Sequence, residues 1–76
     1  MKVVAITKNQ CPRCVQAKNL LAGDTRVTWI NNETETGQKL IADHGIGDRT
    51  APIFIIDDTT VLESILRVKL MLDNAL

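Results

Sequence analysis

Apolar residues along the chain fall into short runs that are separated by polar turns. Four runs have the β-branched and aromatic content typical of strands, and they cover residues 2–6, 26–31, 52–56 and 59–62. The run at 52–56 is the most hydrophobic, which indicates a buried strand. Asp57 and Asp58 separate the last two runs and predict a turn, so residues 59–62 are expected to return as a short edge strand.

The first helix is predicted after Pro12, because residues 15–22 are good helix formers and proline is tolerated in a first helical turn. Gly23 follows as the expected C′ residue. Cys14, Ala17 and Leu21 fall on one helical face, which would turn toward the core.

Two further helices are predicted, one ending near His44 before Gly45-Ile46-Gly47 and one over residues 63–74. The earlier helix follows capping and acidic residues at 32–37 and is only weakly amphipathic. The last helix repeats apolar residues at helical spacing, and all of these positions are expected in the core: Ile65, Leu66, Val68 and Leu72. Met71 or Leu76, if left exposed, could form a patch for a partner.

The order β-α-β-α-β-β-α predicts a single α/β domain over residues 1–76 with a four-stranded mixed sheet. The two β-α-β connections predict parallel pairing, and the turn after residue 56 predicts an antiparallel edge. Helices are expected to cover the faces of the sheet.

Composition excludes several classes of function. Nine basic and nine acidic residues are interspersed, so no basic surface for nucleic acid is expected. No apolar run approaches the roughly 20 residues of a membrane span, and polar residues 7–10 interrupt the first apolar run too early for a signal peptide. We therefore expect a cytoplasmic protein with no membrane partner.

The chain has two cysteines, Cys11 and Cys14, and they are separated by two residues. A disulfide across so short a loop constrains the unfolded chain little, which argues against a structural staple. A zinc site needs about four ligands, whereas this chain offers two thiols and the distant His44. The alternatives are a metal or iron–sulfur cluster shared between two chains through Cys11, a binding module with incidental cysteines, and dithiol redox chemistry, which we favour.

Residues 8–14, Lys-Asn-Gln-Cys-Pro-Arg-Cys, resemble the glutaredoxin pattern of Lys, two residues and Cys-Pro-Tyr-Cys. Residues 47–55 resemble the family's Gly-x-x-Thr-Val-Pro segment and the Phe-Ile that follows it. The resemblance spans nearly the whole chain, and the small glutaredoxin-like hydrogen donors of ribonucleotide reductase share this size and layout. It implies a thioredoxin-like (glutaredoxin) fold. Arg13 replaces the family's Tyr, and the Gly-Gly expected near Leu62-Glu63 is absent.

The resemblance implies a small thiol–disulfide oxidoreductase that serves as an electron carrier. Cys11 would be the exposed nucleophile at the start of the helix, where the helix dipole, Lys8 and Arg13 lower the pKa of its thiol. It would attack a substrate disulfide, and the more buried Cys14 would resolve the mixed disulfide. Arg13 lies between the cysteines and is expected to tune the reaction or select substrates.

Further site residues follow from the same resemblance. Pro52 is expected to be cis beside the cysteines, the backbone of Ala51 to pair with the substrate chain, and Thr50 to line the same groove. Lys8 and Arg49 would bind carboxylates of glutathione or of a protein partner. Ser64, at the start of the last helix, would act where the family's Gly-Gly turn helps to hold glutathione.

The implied substrate is a protein disulfide, with ribonucleotide reductase as a candidate target. Glutathione or a flavoprotein of the thioredoxin reductase type would recharge the protein. We expect no tightly bound cofactor, no metal, no nucleic acid partner and a monomer.

Overall fold

The computed structural model describes residues 1–75. Its element order, β-α-β-α-β-β-α, matches the prediction. The elements are β1 (Val3–Thr7), α1 (Pro12–Leu20), β2 (Val27–Asn31), α2 (Glu35–His44), β3 (Ile53–Ile56), β4 (Thr60–Leu62) and α3 (Ile65–Asn74). Leu76, one of the two positions expected to be exposed for a partner, lies outside the described residues. No helix within residues 1–75 is long and apolar enough to cross a bilayer.

The four strands form one mixed sheet in the order β2-β1-β3-β4. β1 pairs with β2 in parallel, and the β3–β4 pair forms the predicted antiparallel edge. The prediction of parallel pairing was wrong for the second β-α-β connection, because β3 runs antiparallel to β1, with Ile6 opposite Ile53. Ile46, which follows α2, shares an apolar cluster with both residues. The segment after α2 therefore starts β3 at the end of the sheet where β1 finishes.

The sheet is covered on both faces, as predicted. Because successive side chains of a strand point to opposite faces, β1 and β3 supply residues to two clusters. α1 and α3 cover one face, where the buried residues are Val3, Ala5, Ala17, Leu21, Val27, Phe54, Ile56, Ile65, Val68 and Leu72. α2 and the segment after it cover the other face, where the buried residues are Val4, Ile6, Ile46, Ile53 and Ile55.

Two expectations about the helices need correction. α1 ends at Leu20 with Leu21 as its C-cap, so Gly23, with φ of 81°, lies two residues beyond the cap instead of at C′. Leu21 leaves the helical conformation, with φ of -102° and ψ of 14°, and its side chain is buried in the core. In α3, Leu66 is 67 % exposed and is not a core residue. It is rotated about 100° from Ile65 around the helix, whereas Ile65, Val68 and Leu72 form the buried stripe. Met71 packs at the edge of that core.

The predicted turn between β3 and β4 is confirmed. Asp57 and Asp58 both have positive φ, 50° and 64°, a conformation that aspartate tolerates better than most residues. The backbone N–H of Lys2 donates to Asp57 Oδ1 at 2.8 Å, and the N–H of Asp57 donates to the Lys2 carbonyl at 2.9 Å. These bonds close the end of the sheet that lies opposite the cysteines.

Candidate active site

Cys11 and Cys14 lie at the N-terminus of α1 and are joined by a disulfide, with their Cα atoms 5.2 Å apart. Cys11 is the N-cap residue, and Pro12 occupies the first turn as predicted. The backbone N–H of Cys14 donates to Cys11 Sγ at 3.1 Å. The spacing of one helical turn thus brings the two sulfurs together and directs a helix N–H at the first of them.

A backbone segment ahead of β3 covers the disulfide. Cys11, Cys14 and Ala51 form a small buried cluster of their own, and the Ala51 carbonyl oxygen lies 3.8 Å from Cys11 Sγ. The peptide bond between Ala51 and Pro52 is cis, as expected, and Pro52 is fully buried. Cys11 and Ala51 are 40 positions apart along the chain, and the fold brings them into contact.

The expectation of an exposed Cys11 needs correction. Cys11 is 7 % exposed and Cys14 is 3 % exposed, so the first cysteine is the more accessible one but both are buried. The cause is the contact with Ala51, which closes over the sulfur. The first turn of α1 and residues 50–52 form the rim around Cys11.

Glu63 is a site residue that the sequence analysis missed. Its carboxylate Oε1 accepts the backbone N–H of Thr50 at 2.9 Å, and its own carbonyl oxygen accepts Arg13 Nη2 at 3.0 Å. One residue therefore connects the helix that carries the cysteines with the segment that covers them. The available signal was its place in the chain, directly before Ser64 and where the resembling family has a Gly-Gly turn.

Ser64 has a defined structural role. It is the N-cap of α3, and its Oγ accepts the backbone N–H of Arg67 at 3.2 Å. A serine at this position satisfies one of the unpaired N–H groups of the first turn. The role in ligand binding that the resemblance implies stays a prediction.

A cavity of about 180 Å³ lies on the side of the cysteine cluster away from Glu63, which does not line it. Lys8, Arg49, Thr50 and Ala51 lie on its wall, so the structure brings four predicted site residues together. Its other lining residues are mainly apolar: Ile6, Asn32, Ile41, Ile46, Gly47 and Ile53. None of the ion pairs found within residues 1–75 involves Lys8 or Arg49. Two cations beside an apolar wall suit a ligand that carries both carboxylates and apolar atoms.

A polar network that the sequence did not indicate braces the loop between Lys8 and Cys11. Asn9 Nδ2 donates to Glu33 Oε2 at 3.1 Å, and Asn31 Nδ2 donates to Asn9 Oδ1 at 3.0 Å. These side chains connect the loop after β1 with the loop after β2. The network fixes the backbone from which both Lys8 and Cys11 project.

A marked pKa shift lies away from this site. Hydrogen bonds from the side chain and then the backbone of Arg26 lower the pKa of Asp24 from 3.8 to about 2. The carbonyl of Arg26 also accepts the N–H of Val3 at 3.0 Å. Asp24 and Arg26 therefore lie at the start of β1, whereas Cys11 follows the end of β1.

Among residues 1–75, no group of three or more His, Cys, Asp or Glu is arranged to hold a metal. His44 is the last residue of α2, as expected.

The chain has no match among protein-family models, curated proteins or solved structures. A disulfide at a helix N-terminus, a backbone segment in contact with one sulfur and a cationic cavity beside that segment together suit exchange with a peptide-like thiol or disulfide.

Proposed function

We propose that this protein is a glutaredoxin-like thiol–disulfide oxidoreductase of the thioredoxin-fold superfamily. The observation that carries the proposal is the Cys11–Cys14 disulfide at the N-terminus of α1, with the Ala51 carbonyl oxygen 3.8 Å from Cys11 Sγ. The mixed sheet, with helices on both faces, supports the thioredoxin-like interpretation of the fold.

The reaction begins with the reduced protein. The Cys11 thiolate attacks one sulfur of a target disulfide, a mixed disulfide forms, and the other target sulfur leaves as a thiolate. The Cys14 thiolate then attacks Cys11 Sγ, which releases the second target thiol and forms the Cys11–Cys14 disulfide. Two electrons pass from the protein to the target. The N–H of Cys14, 3.1 Å from Cys11 Sγ, stabilises negative charge on that sulfur in the reduced protein.

The surrounding residues would orient the target. We assign the backbone of Ala51 to pairing with the target chain, and Lys8 and Arg49 to its carboxylates, because all three line the same cavity. A protein disulfide is the proposed substrate, and ribonucleotide reductase is the first target to test. Glutathione and a flavoprotein of the thioredoxin reductase type are the two reductants to compare.

The test is a recycling assay that follows NADPH consumption with a model protein disulfide. One reaction contains glutathione and glutathione reductase, and the other contains thioredoxin reductase. We expect turnover by the natural sequence with one of the two systems. Cys11→Ser should reduce turnover by about a thousandfold or more, because the attacking sulfur is gone.

Cys14→Ser is the matched variant, since it removes one sulfur but keeps the nucleophile. It should accumulate a mixed disulfide between Cys11 and the target, and mass spectrometry would detect that species. If both systems stay inactive while thiol titration finds both cysteines intact and reduced, the oxidoreductase proposal is wrong.

A further inference from the structure

We infer that Glu63 is a specificity-determining residue of the redox site, which disfavours anionic thiols and favours cationic ones at the Cys11–Cys14 disulfide. The inference rests on the proposed function, because it concerns which thiol exchanges with that disulfide. It adds a residue for which neither the motif nor the resemblance assigns a role.

The hydrogen bonds of Glu63 fix its carboxylate close to the sulfurs. The carboxylate holds the N–H of Thr50, and the next residue, Ala51, is in contact with Cys11 Sγ. The carbonyl of Glu63 holds Arg13, which lies between the two cysteines in the chain. Since consecutive Cα atoms are about 3.8 Å apart, these contacts keep the carboxylate within roughly 13 Å of the reacting sulfur.

The carboxylate also occupies a donor that an incoming anion would otherwise use. The N–H of Thr50 belongs to the segment that covers Cys11, and Glu63 Oε1 already accepts it at 2.9 Å. A carboxylate has acceptor capacity beyond one hydrogen bond, so it can still accept a cationic group of a ligand. None of the ion pairs within residues 1–75 joins Glu63 to Arg13, whose guanidinium is held by the Glu63 carbonyl instead.

Charges of opposite sign therefore lie on the two sides of Ala51. Lys8 and Arg49 line the cavity on one side of Ala51. On the other side, at the rim, the Glu63 carboxylate accepts the backbone N–H of Thr50. The ligand class that fits is a peptide thiol or disulfide with a cationic group near the reacting sulfur on the Glu63 side. A ligand with only anionic groups would be attracted on one side and repelled on the other.

The inference is tested by reducing the oxidised protein with three small thiols of different charge: cysteamine, 2-mercaptoethanol and 3-mercaptopropionate. In each case the thiolate attacks Cys11 Sγ, the Cys11–Cys14 bond breaks, and Cys14 leaves as a thiolate that takes a proton from water. A second thiol molecule attacks the mixed disulfide and releases the small disulfide. Two electrons pass from two thiols to the protein, and alkylation followed by mass spectrometry gives the rate.

The variant is Glu63→Gln, because its amide oxygen can still accept the N–H of Thr50. The matched control is Asp58→Asn, which removes the same charge from an exposed residue of the β3–β4 turn, at the end of the sheet opposite the cysteines. For a unit charge about 10 Å away in water, Glu63→Gln should raise the anionic-to-cationic rate ratio about fourfold. The change should shrink at ~1 M salt, where screening acts over about 3 Å. Asp58→Asn should leave the ratio unchanged.

The outcomes separate this inference from the proposed function. If Glu63→Gln leaves the ratio unchanged, or alters the neutral thiol as much as the charged ones, Glu63 does not select by charge and the inference is wrong, while the oxidoreductase proposal stands. If none of the three thiols reduces the disulfide of the natural sequence, the proposed function fails and the inference fails with it.

Discussion

The two sides of the cluster formed by Cys11, Cys14 and Ala51 use their charged groups differently. On the cavity side, Lys8 and Arg49 line an open space of about 180 Å³. On the other side, Glu63 uses its carboxylate to hold Thr50, and its carbonyl to hold Arg13. One side presents charge to a ligand, and the other uses polar groups to join two parts of the protein.

The difference indicates which contribution each side makes. A charge that is bound within the protein fixes the positions of the segments that it connects, and it still acts on a ligand through its field. A charge beside a cavity contributes mainly when a ligand arrives, since until then it is solvated. Substitutions on the cavity side should therefore change ligand recognition, and substitutions of Glu63 should change stability as well as selectivity.

The largest effect is expected on the cavity side. The double substitution Lys8→Ala with Arg49→Ala should lower the rate constant for reduction of the disulfide by glutathione about tenfold, because two cations that attract its carboxylates are lost. Stopped-flow measurement at low salt gives this constant.

A control of equal charge comes from Lys2→Ala with Lys69→Ala, since neither residue lines the cavity. An equal loss in the control would mean that net charge alone attracts glutathione. The distinction between the two sides of the cluster would then be wrong.

An intermediate effect is expected at Glu63. Glu63→Ala should lower the free energy of unfolding of the oxidised protein by about 1 kcal/mol, because the hydrogen bond to Thr50 is lost. Glu63→Gln keeps an acceptor and should lose less. Urea unfolding, with the midpoint shifting at constant slope, measures both. Equal midpoints for Glu63→Ala and the natural sequence would show that this side does not brace the structure.

The smallest effect is expected at the far end of the sheet. The folded pKa of Asp24 is lowered from 3.8 to about 2, so its ion pair with Arg26 stabilises the fold above about pH 4. That stabilisation is lost as the pH falls toward 2. Asp24→Asn should therefore reduce the unfolding midpoint in urea at pH 6, and this difference should shrink progressively as the pH falls from 4 toward 2.

The same substitution serves as a reference for the cysteine site. Asp24 lies at the end of β1 away from the cysteines, so Asp24→Asn should leave the rates of thiol exchange at pH 7 unchanged. A change in those rates would mean that substitutions at the far end of the sheet affect the cysteine site. The comparison of the two sides of the cysteine cluster would then have no valid control.

Local patterns predicted much of the fold. The apolar runs and the capping residues identified all seven elements, and Gly45 ends α2 with φ of 62° as its place in the chain suggested. These predictions held because capping, turn chemistry and periodicity depend on residues a few positions apart. The direction of β3 was not predictable, since an apolar strand buried on both faces has the same pattern in either direction.

The candidate site, like the fold, was predicted from the sequence only in part. The spacing of the two cysteines predicted that both sulfurs lie at the first turn of α1, and they do. The hydrogen bond between Glu63 and Thr50 joins residues 13 positions apart, and no local rule indicates it. The burial of Cys11 was also missed, because it depends on a contact with Ala51, 40 residues away.

The sequence by itself determined the order of elements, the cysteine pair and its position at a helix N-terminus, because each depends on neighbouring residues and on their backbone preferences. Only the tertiary structure decided what surrounds that pair: the cavity with Lys8 and Arg49, the covering residue Ala51, and Glu63 at the rim. The physical reason is that these contacts form when distant segments pack against one sheet, and the register and direction of the strands determine which side chains meet.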